Sequence, residues 1–141
     1  IIFFALSLPW LLVFNLNFQL HARDVKQPDF FHQDEVAALS FLKQQPPGIV
    51  LSSGRSGSYI PYYTDKISVM GGTIAGEEQR KSDYRIFVSG NDEERRKILD
   101  KYRISYVFHG YSEVTDGMKL ENETYLEQIY NKGSVRIFRV R

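Results

Sequence analysis

No Lys, Arg, Asp or Glu occurs before Arg23, and all 18 basic and 17 acidic residues of this 141-residue chain lie from that position onward. An uncharged stretch and a charge-rich stretch need different surroundings, so the chain divides into two materials near residue 23. Residues 1–20 read IIFFALSLPWLLVFNLNFQL, in which 15 of 20 are apolar and the exceptions are Ser7, Pro9, Asn15, Asn17 and Gln19. As a helix this stretch would span about 30 Å, the thickness of a hydrocarbon core. Polarity rises through Asn15, Asn17, Gln19 and His21, as expected of a chain leaving a bilayer through its interface. Residues 1–22 are accordingly expected to be the end of a transmembrane helix, and 23–141 a soluble domain behind it. A signal peptide would need a basic start and a small-residue cleavage site, which this stretch lacks. A buried core helix would have to accommodate Pro9 and an apolar surface on every side. Since residue 1 is Ile, the chain reads as a fragment with further sequence upstream.

The length leaves room for one compact domain and an appendage. A net charge of +1, with both signs mixed, argues against an electrostatic nucleic-acid surface. The absence of cysteine excludes a disulfide scaffold, a thiol nucleophile and every cysteine zinc motif. No metal site is expected, because His21, His32 and His109 show no HExxH or other ligand spacing.

Beyond a polar linker, Asp34 is expected to cap a helix running through Gln44, with Val36, Ala38, Leu39, Phe41 and Leu42 on its apolar side. Pro46-Pro47-Gly48 ends it and leads into a buried strand over Ile49–Ser52. Gly54-Arg55-Ser56-Gly57-Ser58 reads as a flexible loop, with Ser58 capping a short helix over Tyr59–Thr64 that Pro61 helps to begin. Ile67–Met70 alternates as a second strand and stops at Gly71-Gly72. Residues 73–90 give weak signals; only Arg85–Val88 is strand-like, and the rest reads as loop. Asn91 to Tyr102 carries the clearest helix signal, with Asn91 and Glu94 forming a capping box and acids leading bases. Ile104–Phe108 has no polar alternate and reads as a central strand buried on both faces. A helical piece over Asn122–Gln128 is expected before two strands, Ile129–Asn131 and Ser134–Val140, joined as a hairpin at Lys132-Gly133. Val135, Ile137 and Val140 would face inward and Arg136 and Arg139 outward, as at a sheet edge. Alternating helices and strands predict an α/β layered sandwich with a mixed, mostly parallel sheet and a C-terminal β-hairpin.

This order of features resembles the soluble C-terminal domain that comes after the last transmembrane helix in C-type superfamily membrane glycosyltransferases, relatives of the dolichyl-phosphate-mannose protein mannosyltransferases. The resemblance is carried by Ala38–Leu42, the Pro47–Ser52 strand, Ile60-Pro61 with Thr64 and Lys66, Gly71, Phe87, the LDKYRISYV of 99–107 and the closing IYNKGSVRIFRV. Two departures stand out: Thr64-Asp65-Lys66 in place of Thr-Gly-Arg, and Gly71-Gly72 in place of Gly-His. The missing His puts in doubt any ligand contact the family makes through it. The resemblance implies an enzyme that moves a sugar from a polyprenyl-phosphate carrier to a lipid or protein acceptor at the outer face of the membrane. The family's catalytic acid lies in an early extracytoplasmic loop, so no catalytic residue carries over to this sequence and no cofactor is indicated.

Several residues are candidates for contact with a ligand or anion. Gly54, Arg55, Ser56, Gly57 and Ser58 lie between a strand and a helix start, where free backbone N–H groups and the helix dipole suit a phosphate. The plainer alternative, which carries the greater weight, is a tight turn with a cap; neither a P-loop ending nor a G-x-S-x-G elbow is present. Gly71 and Gly72 would let backbone approach a ligand closely, or merely permit a turn. His109, with Tyr111 and Glu113 beyond it, follows the central strand where α/β sheets bind ligands, although a surface loop with an ordinary histidine is the simpler reading. Tyr59, Tyr62 and Tyr63 form either an aromatic shelf for a sugar or ordinary packing. Asn122-Glu123-Thr124 matches a glycosylation acceptor that chance supplies often.

The reading that results is a non-catalytic extracytoplasmic domain of a membrane glycosyltransferase, with the lipid bilayer and a lipid-linked sugar or acceptor as partners. The alternative is a membrane-anchored, non-enzymatic ligand-binding or interaction module.

Overall fold

The computed structural model describes residues 32–71, 76–120 and 123–141. The expected transmembrane segment 1–22, the domain boundary at 23, Gly72 and Asn122 lie outside these residues. Among the described residues no helix is long and apolar enough to cross a membrane.

In chain order the elements are α1 (Gln33–Lys43), β1 (Ile49–Leu51), α2 (Gly54–Tyr63), β2 (Ile67–Ser68), α3 (Glu77–Ser89), α4 (Asp92–Lys101), β3 (Ile104–His109), α5 (Tyr111–Thr115), β4 (Leu126–Lys132) and β5 (Val135–Val140). The strands make one five-stranded sheet ordered β2-β1-β3-β5-β4. β1 pairs in parallel with β2 and β3, whereas β5 runs antiparallel to both β3 and β4. The sheet is therefore mixed, parallel at its start and closed by a hairpin, as the sequence leads one to expect.

The connections β1 to β2 and β2 to β3 move across the sheet in opposite directions. Right-handed crossovers then put their helices on opposite faces. One face carries α1 and α2 over Val50, Tyr106, Phe108, Val135 and Ile137, closed by Ala38, Leu39, Leu42 and Ile60. The other carries α3 and α4 over Leu51, Val107 and Phe138, closed by Tyr84, Phe87, Ile98 and Leu99. β3 sits in the middle with apolar side chains on both faces, which is why its sequence shows no polar alternation.

Several local expectations give way to tertiary packing. α1 is capped by His32, whose N–H donates to Glu35 Oε2 at 3.3 Å, while Asp34 faces Lys132 Nζ at 3.5 Å. Its buried stripe is Glu35, Ala38, Leu39 and Leu42; Val36 stands off that stripe and is 43% exposed. The Gly54–Ser58 segment is no loop but the opening of α2, capped by Ser53, whose Oγ accepts from the Ser56 N–H at 3.3 Å. Pro61 consequently lies inside that helix. Residues 77–89 form α3 in place of the expected loop and short strand. Tyr84, Phe87 and Val88 recur at helical spacing, and Tyr84 and Phe87 are buried, so the stripe overrides the β-propensity of Ile86-Phe87-Val88.

In place of the expected helix over Asn122–Gln128, residues 124–125 form a turn and Leu126–Gln128 open β4, and α5 is an addition the sequence pattern does not announce. β5 pairs on both sides, so the edge strand is β4 and not the final segment. The hairpin turn falls at Gly133-Ser134, with Lys132 opposite Val135 and Gly133 at φ +57°. Asn91 and Glu94 form the expected box at the start of α4, at 3.0 and 2.9 Å.

Candidate functional site

The sequence-predicted site residues within the described regions meet at the carboxyl ends of β1, β2 and β3, except for the aromatic cluster. Gly54 to Ser58 come after β1, Gly71 after β2, and His109 to Glu113 end β3 and continue beyond it. This end of an open α/β sheet is where helices leaving toward opposite faces open a crevice.

At the start of α2 the geometry is close packing. Gly57 is buried, and a Cβ there would fall 1.9 Å from the Met70 carbonyl oxygen. Gly71 adopts φ +110°, and a Cβ on it would lie 2.4 Å from Gly57 C. The two glycines allow the helix and the end of β2 to touch backbone to backbone. Ser56 is buried against the cap, and the exposed Ser58 donates its hydroxyl to the Gly54 carbonyl at 2.9 Å.

An anion does sit at this helix start, and the chain supplies it. Glu113 is wholly buried; its Oε1 accepts the Ser53 N–H at 2.7 Å and its Oε2 the Gly110 N–H at 2.9 Å. A second buried carboxylate, Glu35, accepts from the N–H groups of Tyr111 and His32, both at 3.3 Å. A Cβ on Gly110 would stand 2.9 Å from Glu35 Oε1 and 3.3 Å from Glu113 Oε2, so glycine is what lets both carboxylates close around this turn. Because Glu113 bonds the backbone of Ser53 and not its hydroxyl, it serves as an internal counter-ion for the two helix starts.

His109 is 1% exposed and does not belong to a surface loop. Its Nε2–H donates to the Met118 carbonyl at 2.9 Å. Nδ1 is buried with no partner among the described residues. Tyr62 and Tyr63 meet edge to face at 5.0 Å at the far end of α2, away from the other candidates. Lys66, in the position where the resembling family carries Arg, is fully buried and donates to the Gln45 carbonyl at 2.8 Å and to Asp65 at 3.0 Å. It ties β2 to the end of α1.

Open space lies beside this packed end, between the first turn of α2 and α3. A cleft of about 470 Å³ is lined by Gly54, Met70, Lys81, Tyr84, Arg85 and Asp116, among others. A second hollow of about 440 Å³ shares Gly54, Met70 and Lys81 with it and reaches Ser58, Gly71 and Arg80. The Tyr84 hydroxyl donates to Asp116 Oδ2 at 2.8 Å. Burial, the Glu113 charge and that bond push this hydroxyl far above the ordinary tyrosine range, so it remains a donor. Lys81, Tyr84, Arg85 and Asp116 are missing from the sequence-predicted set. The one signal that marks them is the Lys81 and Arg85 pair at helical spacing. Among the described residues no group of three His, Asp or Glu side chains is arranged to hold a metal ion.

No family model matches the chain, and no curated protein matches it. Among solved structures it is similar to the C-terminal globular domain of an oligosaccharyltransferase from Archaeoglobus fulgidus, with a TM-score of 0.62 and 22% identity. The match covers 79% of this chain and 99% of that domain, and at this identity it establishes the likeness of fold.

Proposed function

We propose that the chain is a non-catalytic extracytoplasmic domain of a membrane glycosyltransferase that transfers a sugar from a polyprenyl-phosphate donor to a lipid or protein acceptor. The observation that carries this reading is the fold match, which takes in 99% of a domain belonging to an oligosaccharyltransferase. The uncharged, apolar residues 1–20 supply the second support, since a domain of this kind comes after a membrane helix. On this reading the catalytic acid lies outside these 141 residues, in an earlier extracytoplasmic loop. The domain's task is then to cover the outer face of the membrane part and help hold the carrier or acceptor.

The test is made in the parent gene. Membranes holding the intact protein, and membranes holding the protein without residues 32–141, are assayed for transfer of radiolabelled sugar from a polyprenyl-phosphate donor. Transfer that falls at least about tenfold on deletion, at equal protein level, supports the reading. A parent with no transfer activity, and a single membrane segment, would instead identify an anchored binding module.

A further inference from the structure

We propose that the cleft between α2 and α3 is a binding site for a polyol phosphate, a phosphate ester whose alcohol carries further hydroxyl groups. The site rests on the geometry of the described domain and not on the glycosyltransferase reading.

Three features converge on it. The first is size and position: about 470 Å³, within the range of small-molecule sites, at the carboxyl ends of parallel strands. The second is charge. Lys81 and Arg85 stand one turn apart on α3 and both line the cleft with Gly54; the start of α2 adds no free charge, since Glu113 already answers it. Lys81 is held by Glu77 at 2.8 Å and Glu78 at 3.3 Å, and Glu77 lines the adjoining hollow and not this cleft, so a phosphate here would share Lys81 with that acid. The Arg85 guanidinium has no acid partner among the described residues. Two cations at this spacing suit the oxygens of one phosphate.

The third feature is the rest of the lining, which bare phosphate would not use. Met70, Tyr84 and Val88 give an apolar wall, and at the Tyr84 end the Asp116 carboxylate keeps one oxygen, Oδ1, outside its bond with Tyr84. A carboxylate oxygen beside an apolar wall accepts hydroxyl groups of a ring or glycerol body. Two sources offer this chemistry, a free sugar phosphate and a polyol-phosphate lipid headgroup.

Gly54 provides a steric test independent of charge. A Cβ there meets nothing within 4 Å, so Gly54→Leu grows into open space and obstructs the cleft without displacing the fold. The full 141-residue chain, held in zwitterionic detergent, would be titrated with α-glucose 1-phosphate and with short-chain phosphatidylglycerol. Glucose and short-chain phosphatidylcholine serve as controls, and amide shifts near Gly54 and Ser89 are the readout. Saturable binding of the sugar phosphate identifies a free ligand. Saturation by phosphatidylglycerol alone identifies a headgroup. In either case both Gly54→Leu and the Lys81→Gln, Arg85→Gln double variant should weaken binding about tenfold or more with melting unchanged. Asp116→Asn should reduce the preference for the polyol ester over inorganic phosphate. The proposal is overturned if neither probe saturates, or if binding persists at wild-type strength in either of the two blocking variants.

Discussion

Gly57 and Glu113 hold the carboxyl-end crevice together by different physics. Replacing Gly57 by Ala inside a helix would gain about 1 kcal/mol of helix propensity. Here the new methyl meets a backbone carbonyl at 1.9 Å, which can yield only if α2 and the end of β2 move apart. Overpacking of this kind wins, and Gly57→Ala should lower stability by about 2 kcal/mol net, read from the urea midpoint. Glu113 acts through desolvation. Its two oxygens satisfy two buried N–H groups, so Glu113→Leu strands both and should cost about 3 kcal/mol. Glu113→Gln keeps one carbonyl oxygen as acceptor and should cost clearly less. Because Gln matches Glu in volume and keeps one acceptor, equal losses in the two variants would mean that the complete carboxylate, and not acceptance of a single N–H bond, is what Glu113 contributes.

At the scale of elements, α3 and α4 are joined by Asp83. Burial pushes its carboxyl up, but bonds from Lys101 at 2.6 Å, Tyr102 at 2.5 Å and Gln79 at 3.0 Å outweigh that and hold it below its ordinary value of 3.8. A carboxyl lowered in the folded state stabilises the fold above its unfolded value and loses that contribution as pH falls through the folded one. Stability should therefore decline on acidification below about pH 4, and Asp83→Asn should flatten that decline in melting temperatures taken across the acid range. The turn out of α4 offers the opposite kind of change. Arg103 takes φ +50°, a conformation that favours glycine after a helix, so Arg103→Gly should raise stability by about 0.5 kcal/mol in the same urea series. The sequence is legible where its signals are local. Asn91 and Glu94 are three residues apart and announce α4 by themselves; Tyr106-Val107-Phe108 announce a strand covered on both faces. The start of α2 is not legible, because Gly54, Gly57 and Ser58 look like a loop until Met70 and Gly71, distant in sequence, explain Gly57. The site is half legible for the same reason. Glycines and the residues after β3 lead to the end of the sheet beside the proposed cleft, whereas Lys81, Arg85 and Asp116 gain meaning only when α3 and α5 frame that cleft.

For the molecule as a whole, the question is whether residues 1–31 complete the fold of residues 32–141. Both faces of the sheet are already closed within the described residues, one by Ala38, Leu39, Leu42 and Ile60, the other by Tyr84, Phe87, Ile98 and Leu99. The exposed large apolar residues on the described surface, among them Val36, Tyr62, Ile67 and Val114, are scattered over different elements and are of the kind any soluble domain leaves in water. A layered domain of this size with both faces covered holds a core sufficient for independent folding. Residues 32–141 alone should therefore unfold in one cooperative urea transition and remain monomeric in water without detergent. The 141-residue chain, carrying its apolar first 20 residues, should sediment with membranes and require detergent for extraction. A truncated chain that binds a hydrophobic dye and melts without cooperativity would mean that residues 1–31 belong to the core. In that case the uncharged stretch is a packed helix of a soluble protein, and the membrane reading of its sequence fails with it.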